Sequence, residues 1–483
     1  MMPRTEPKPL KPEGMTLDPK DLAAGRYGTY EMVQIWGPEK TFSTSLRVQA
    51  QATTTLSRLR PDVAPLEIAQ EIIQKANLDI IKPERIRELE EKRGHDVIAI
   101  NEALEEVLSK EAAPFVNLFR TSADTTQSAR ALQTKAALEV IIGSIENLRD
   151  IIIDRSLEWI DVPHMDTTHL YDALPTVAGR PFAHYAEMLQ SNIEWLHHVY
   201  THSMLGKWAD ATGNHHAAWS AGVDGISLET EYCRDLELKR MEAPAQVPGL
   251  EFEADVVYAV ARTAETLNNI AKYIAWGRSD DVNIFINASP KKKKGSSAMP
   301  HKDAKNGNPT AEEQVMSIRN YMHGWMITAL SNCEFPYARN LSASASSRIQ
   351  FEDGFKFLDH GIRRLAETVY WLGLKKEVSE ARVLRSYGVV TSPRIMTYLT
   401  DHRYVIDPLP RSQAHDLVAK IATEAWEAKK PFIDLLVQNK EITARIDPDT
   451  LVAMADPLAY IGESKKIVES IALMYHHKKI LGE

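Results

Sequence analysis

Cysteine is scarce in this chain, with Cys233 and Cys333 the only two. Two thiols cannot build a disulfide framework, which fits a reducing compartment. No apolar run approaches a membrane span, and the opening MMPRTEPKPLKPEG lacks the apolar core of a secretory leader. The expected location is the cytoplasm, with no membrane contact. Metal spacing is missing too: there is no His-Glu-x-x-His and no cysteine pair at zinc spacing. The pairs His197-His198, His215-His216 and His476-His477 are adjacent. Neighbours on a helix point about 100° apart, so such pairs rarely share one ion. No glycine-rich phosphate loop or dinucleotide fingerprint occurs. No metal and no cofactor are expected.

What is present describes a large globular chain. Its 483 residues are 44% hydrophobic and 25% charged, enough for a sizeable core. A net charge of −9 argues against a general nucleic-acid partner. The run Lys291–Lys294 is one short tract rather than a basic face. The dominant period is helical. Val256, Val260, Thr263, Leu267, Ile270 and Ile274 form one seam. Val315, Ile318, Met322, Trp325 and Ala329 form a second. Leu358, Ile362, Leu365, Val369 and Leu372 form a third, and Leu189, Ile193, Leu196 and Tyr200 a fourth. Strand-like alternation is scarce, so the expected class is all-α, with long helices packed side by side. Helices of that length suggest that subunits share the core. Three parts are expected: 1–121, with a poorly ordered tail over 1–24; a central long-helix bundle over 122–372; and a helical part over 373–483. The last includes a helix around EAWEAKKPFIDLLV.

Five stretches could carry chemistry. Gly295-Ser296-Ser297-Ala298-Met299-Pro300-His301-Lys302 is a hydroxyl-rich loop leading to Asn308-Pro309. Taking a proton from a carbon beside a carboxylate needs a base on a closing loop and fixed donors for the charge that develops. Thr121-Ser122-Ala123-Asp124 reads as a helix start, where free N–H groups and hydroxyls can bind an anion. His95 opens the helical run after Lys92-Arg93-Gly94, and His169 follows Thr168; an imidazole can pass a proton near neutral pH. Arg339 and Arg348, nine apart with serines between, suit an anion site.

Ser-Ser-x-Met-Pro-x-Lys resembles the signature loop of the fumarase/aspartase superfamily. Its Met-Pro-His-Lys form is similar to that of adenylosuccinate lyases. The resemblance runs from about Gly25 to Lys465. It implies a homotetramer whose active sites are built from three subunits. It also implies a cofactor-free β-elimination that releases fumarate from a succinylated amine, here a nucleotide. By the same resemblance Ser296, six residues before Lys302, is the base. His169 is the general acid with His95 nearby, and Lys302 and Asn308 hold the carbanion. Thr121 and Ser122 hold a substrate carboxylate, and Thr168 and Ser297 are placed among the substrate-binding residues. Arg26, Tyr27, Gln246, Arg339, Ser344 and Arg348 inherit substrate binding.

The chain departs from that pattern in places. Ala304-Lys305-Asn306-Gly307 intervenes before Asn308, so Asn306 is an alternative to it. Gly94 stands where the family often has arginine, Asn117 where many members have histidine, and Gln314 where an arginine is expected. Asp166-Thr167 replaces the usual Gly-Arg before Thr-His. Lost basic groups leave open a sister lyase or cycloisomerase with a different N-succinyl amine or dicarboxylate. A non-catalytic protein of the same fold is a third reading, opposed by intact Ser296, Lys302 and His169.

Overall fold

A computed structural model describes residues 4–476, apart from 19, 293, 335, 336 and 338. Lys293 of the lysine run, His477 and the rest of 477–483 thus lie outside the described residues. Six long helices dominate: α1 (Pro38–Leu59), α2 (Ser122–Glu158), α3 (Arg180–His202), α4 (Glu251–Gly277), α5 (Thr310–Asn332) and α6 (Ser344–Tyr370). With 37 residues, α2 is the longest, about 55 Å at the usual helical rise. It begins where its sequence says: Asp124, at the third helical position, accepts the Thr121 N–H at 2.8 Å and closes a capping box.

The helices pack as the apolar seams require. Helix α2 lies against α3 and α6, α4 against α5 and α3, and α5 against α6. Val256, Val260, Leu267, Ile270 and Ile274 are buried with Val315, Ile318, Met322, Leu358, Ile362 and Leu365 in one central core. Trp325 and Tyr200 pack at its margin, half-buried. Separate apolar clusters gather Phe42 to Val116 and Ile395 to Ala455.

Strands are few among the described residues. An antiparallel hairpin, β1 (Pro163–Thr168) with β2 (Tyr171–Val177), joins α2 to α3. Leu205–Gly206 pairs with Lys239–Arg240, and β3 (Phe285–Asn287) pairs with β4 (Leu372–Leu374). Past β4, α7 (Lys376–Leu384) packs on the hairpin, and α8 (Ser464–Tyr475) packs back on α3.

Two expectations need correction. Residues 4–18 are not loose. Thr5 N–H donates to Asp154 at 2.7 Å, Lys8 N–H to Asn147 at 3.0 Å, and Arg363 to the Pro9 carbonyl at 2.5 Å. A proline-rich segment outside any helix or strand leaves its backbone groups free for polar side chains along α2 and α6. The stretch EAWEAKKPFIDLLV is not one helix. Arg411–Ala428 ends at Lys429, whose φ of +51° is left-handed, and a new helix, Phe432–Gln438, starts after Pro431. Proline cannot donate to the preceding turn.

Candidate active site

The serine loop lies between β3 and α5. Its ends are drawn together by Asp303, which accepts the Gly295 N–H at 2.8 Å and the Lys294 ammonium at 3.0 Å. These bonds hold the Asp303 carboxyl below the usual range, the Gly295 N–H first and Lys294 second. Only glycine fits at 295, since a Cβ there would sit 2.5 Å from the Lys302 carbonyl carbon and oxygen. Within the loop the Ser296 hydroxyl oxygen accepts two backbone N–H groups, Ala298 at 3.2 Å and Met299 at 3.1 Å. Ser297 is exposed, and Lys302 is half-buried in the turn Pro300–Lys305.

The two asparagines after the loop differ. Asn306 is 5% exposed and donates to the carbonyls of Asn287 at 3.2 Å and Ser289 at 2.9 Å. Asn308 is exposed and donates to the Gly295 carbonyl at 2.6 Å. It also lines a small polar cleft with Arg278, Asn287, Ser289, Thr310 and Glu312. Arg278 braces this region from the end of α4, donating to Glu312 at 2.6 Å and to the Gly307 carbonyl at 3.0 Å.

A second group forms where α2 begins. Ser122 Oγ is 3.3 Å from His95 Nε2. His95 is the N-cap of Asp96–Glu105, and Asp96 takes a 3.4 Å ion pair from Arg348 near the start of α6. Four of the residues singled out by sequence, His95, Thr121, Ser122 and Arg348, thus gather at three helix starts. Thr121 opens on a cleft of about 610 Å³ shared with Arg120, Asp210, Thr212 and His216. Gly94 has its own reason: at φ +66° it ends the helix Pro83–Arg93, a left-handed position that favours glycine over arginine. Asn117 shares Gln49 with Arg120, which donates to the Gln49 side-chain oxygen at 3.0 Å.

The remaining candidates fall in three places. Arg339 donates to Gln246 at 3.0 Å, and Ser344 is the first residue of α6. Tyr27 meets Phe357 and His360 edge-on, 6.3 and 5.8 Å between ring centres, with Arg26 exposed beside it. Thr168 and His169 sit at the exposed tip of the hairpin. No hydrogen bond or ion pair among the described residues joins this tip to the serine loop or to the His95 group. Sequence reading passed over Lys207, buried against Asp124, and over Arg278 and Glu312. Asp124 was legible three places after Thr121; Lys207, 83 residues further on, carried no such signal.

A family model described as lyase matches residues 25–321, more than half of the chain. Another, described as adenylosuccinate lyase C-terminus, matches 388–471. The chain belongs to this lyase family, within the fumarase/aspartase superfamily. Adenylosuccinate lyase from Methanocaldococcus jannaschii is 29% identical over 97% of this chain and 98% of its own length. Its counterpart from Bacillus subtilis is 28% identical over 93% and 99%. Within the family, then, this is a carbon–nitrogen lyase of the adenylosuccinate lyase type. The fold agrees. A fumarate lyase from Mesorhizobium sp. BNC1 superposes with a TM-score of 0.79 at 18% identity, covering 92% of this chain and 98% of the other. The 3-carboxy-cis,cis-muconate lactonizing enzyme from Pseudomonas putida gives 0.79 and 18%, covering 94% and 98%. No helix among the described residues is long and apolar enough to cross a membrane.

Proposed function

We propose that the chain cleaves adenylosuccinate to AMP and fumarate by β-elimination, and cleaves the related succinyl-carboxamide imidazole intermediate of purine synthesis. Ser296 takes the proton from the carbon beside a carboxylate. A serine oxygen is a weak base unless its charge is held. The observation that carries the reading is the pair of backbone N–H groups, Ala298 and Met299, aimed at Ser296 Oγ. Lys302 and Asn308 hold the carbanion's charge. His169 protonates the departing nitrogen, with His95 close to the site. Thr121, Ser122, Thr168 and Ser297 bind the carboxylate end. Arg26, Tyr27, Gln246, Arg339, Ser344 and Arg348 bind the nucleotide. Every step uses side chains and backbone of the protein, so no cofactor is required.

The candidate groups lie on separate elements of one chain, and we propose that three subunits of a homotetramer complete each site. Exposed apolar side chains support this reading. Tyr321, Ile327 and Leu330 on α5 and Ile349 on α6 are each more than half exposed, as expected of helices that meet other copies. The cytoplasm, where purine nucleotides are made, is the proposed location. Fumarate release from adenylosuccinate by the purified protein, with Ser296→Ala alongside, tests the reading. Release that collapses in the variant supports it; no release from folded protein sinks it. Loss of basic groups at Gly94, Asn117 and Gln314 favours a different N-succinyl amine as the second reading, and such amines are the next substrates to try.

A further inference from the structure

The hairpin that carries Thr168 and His169 is held in an unusual way. Its two tip residues, His169 and Leu170, both have left-handed backbones, φ +55° and +66°. A two-residue hairpin turn of this kind normally uses Asn-Gly, because side chains disfavour that region. Leu170 and Tyr171 next to His169 are 87% and 79% exposed, so apolar packing does not hold the tip. An ionic clamp is available instead. Asp172 lies across the ladder from Thr167, one pair below the turn. One carboxylate oxygen accepts Nε and Nη2 of Arg382 at 3.1 and 2.9 Å. The other accepts Nε and Nη2 of Arg385 at 3.0 and 2.6 Å. Both arginines come from α7 and the residue following it, a segment between the two family matches.

The arginines are themselves positioned. Arg382 stacks over the Trp276 ring at 5.2 Å. The base of the hairpin is fixed to the same helix: the Ser379 hydroxyl donates to the Pro163 carbonyl at 2.8 Å, and Met165 packs on Val383. Burial by itself would raise the Asp172 carboxyl; the bonds from Arg385 and Arg382 outweigh it and keep the group below the ordinary range. The carboxylate thus stays charged at neutral pH, and two forked guanidiniums fix its direction.

We infer that Asp172, Arg382 and Arg385 are positioning residues for His169, a clamp by which α7 holds the strained turn that presents the imidazole. The inference rests on the reading of His169 as the proton donor. A donor on an unclamped two-residue turn would sample many orientations, and misplacement of a reacting group is costly to rate.

The test uses the full-length protein and fumarate release from adenylosuccinate. Arg385→Gln is the leading variant because its side chain is 57% exposed and its loss least disturbs folding. Arg385→Gln and Asp172→Asn are expected to lower kcat about 10- to 100-fold, with KM changed by less than about threefold. The alkaline limb of the kcat–pH profile should move, while Arg385→Lys, which keeps the charge but not the fork, restores only part of the rate. His169→Ala is assayed in parallel. If His169→Ala is inactive but Arg385→Gln keeps the parent kcat and pH profile, the clamp is refuted alone. A kcat loss that merely follows a lowered Tm also refutes it. If His169→Ala stays active, the proton-donor reading fails and takes the clamp with it.

Discussion

Lys207 donates to Asp124 across 2.5 Å, and both side chains are wholly excluded from solvent. The same carboxylate accepts the Ala209 N–H at 3.1 Å and, on its other oxygen, the Thr121 N–H at 2.8 Å. Lys207 also donates to the Asp210 carbonyl at 2.6 Å. A single buried ion pair therefore joins the start of α2, with its Thr121-Ser122 turn, to the segment that walls the neighbouring cleft.

Removing the cation would leave a charge stranded in the core. Lys207→Met is expected to destabilise the protein by about 3–5 kcal/mol, the usual penalty for breaking a buried pair from one side. Adding Asp124→Asn should return part of that loss, because no net charge is then buried and the amide oxygen can still cap Thr121. Urea unfolding of the single and double variants measures both. A single variant as stable as the parent would show that the pair braces nothing.

The tight approach of Gly295 to Lys302 depends on the absence of one methyl group. Gly295→Ala would bring a Cβ to 2.5 Å from the Lys302 backbone, and backbone cannot swing aside as a side chain does. The loop must open, and Ser296 then loses its fixed relation to Lys302. Turnover is expected to fall about a hundredfold, the scale of a misplaced reacting group. The Tm should barely change, because the loop is largely exposed. Steady-state kinetics with a thermal melt checks the split between rate and stability.

Much of the fold was legible because its signal is periodic. Val260, Leu267, Ile270 and Ile274 repeat at helical steps and all face the core. The candidate site was legible where its residues are close in sequence, as at Thr121–Asp124 and Gly295–Lys302. What was hidden depends on distant partners. Asp172 meets Arg382 across 210 residues, and Arg278 meets Glu312 across 34; neither member of such a pair marks the other. The hairpin was hidden for a different reason: a register shift between Met165 and Thr167, and strands without inside–outside alternation, erase the period-two signal. The order of the N-terminal segment was hidden because composition registers apolar anchors, whereas this segment is held by backbone bonds to polar side chains.

Two buried histidines should make stability fall in mild acid. His164 is 2% exposed; burial first, and Arg382 second, push its pKa down to about 4. His360 is 4% exposed; burial first, then Arg364, lower it to about 4 as well. In the unfolded chain an imidazole titrates near 6.5, so between pH 6.5 and 4 the unfolded state binds more protons. Stability therefore is full above pH 6.5 and is lost as pH falls toward 4, by about 2 kcal/mol for each histidine at pH 5. Urea midpoints at pH 7 and pH 5 should differ less in His164→Gln/His360→Gln than in the parent. Equal differences would assign the acid sensitivity to other groups.

Asn306 and Asn308 offer the sharpest separation of support from chemistry. Asn306 points inward, its amide shared between the Asn287 and Ser289 carbonyls, while the Asn287 amide returns a bond to the Asn306 carbonyl at 3.0 Å. Its φ of +53° is a conformation asparagine tolerates better than alanine. Asn306→Ala thus strands two acceptors and adds backbone strain, for an expected loss of about 2–4 kcal/mol of stability. Asn308 is exposed beside Gly295 and has no such burden. On its proposed role as a donor to developing negative charge, its loss is expected to cost about 10²- to 10³-fold in kcat, with Tm unchanged. Measuring Tm and kcat for both variants decides the matter. If Asn306→Ala keeps its Tm and loses its rate, the inserted Ala304–Gly307 segment has shifted the role by two positions, and Asn306 rather than Asn308 serves the reaction.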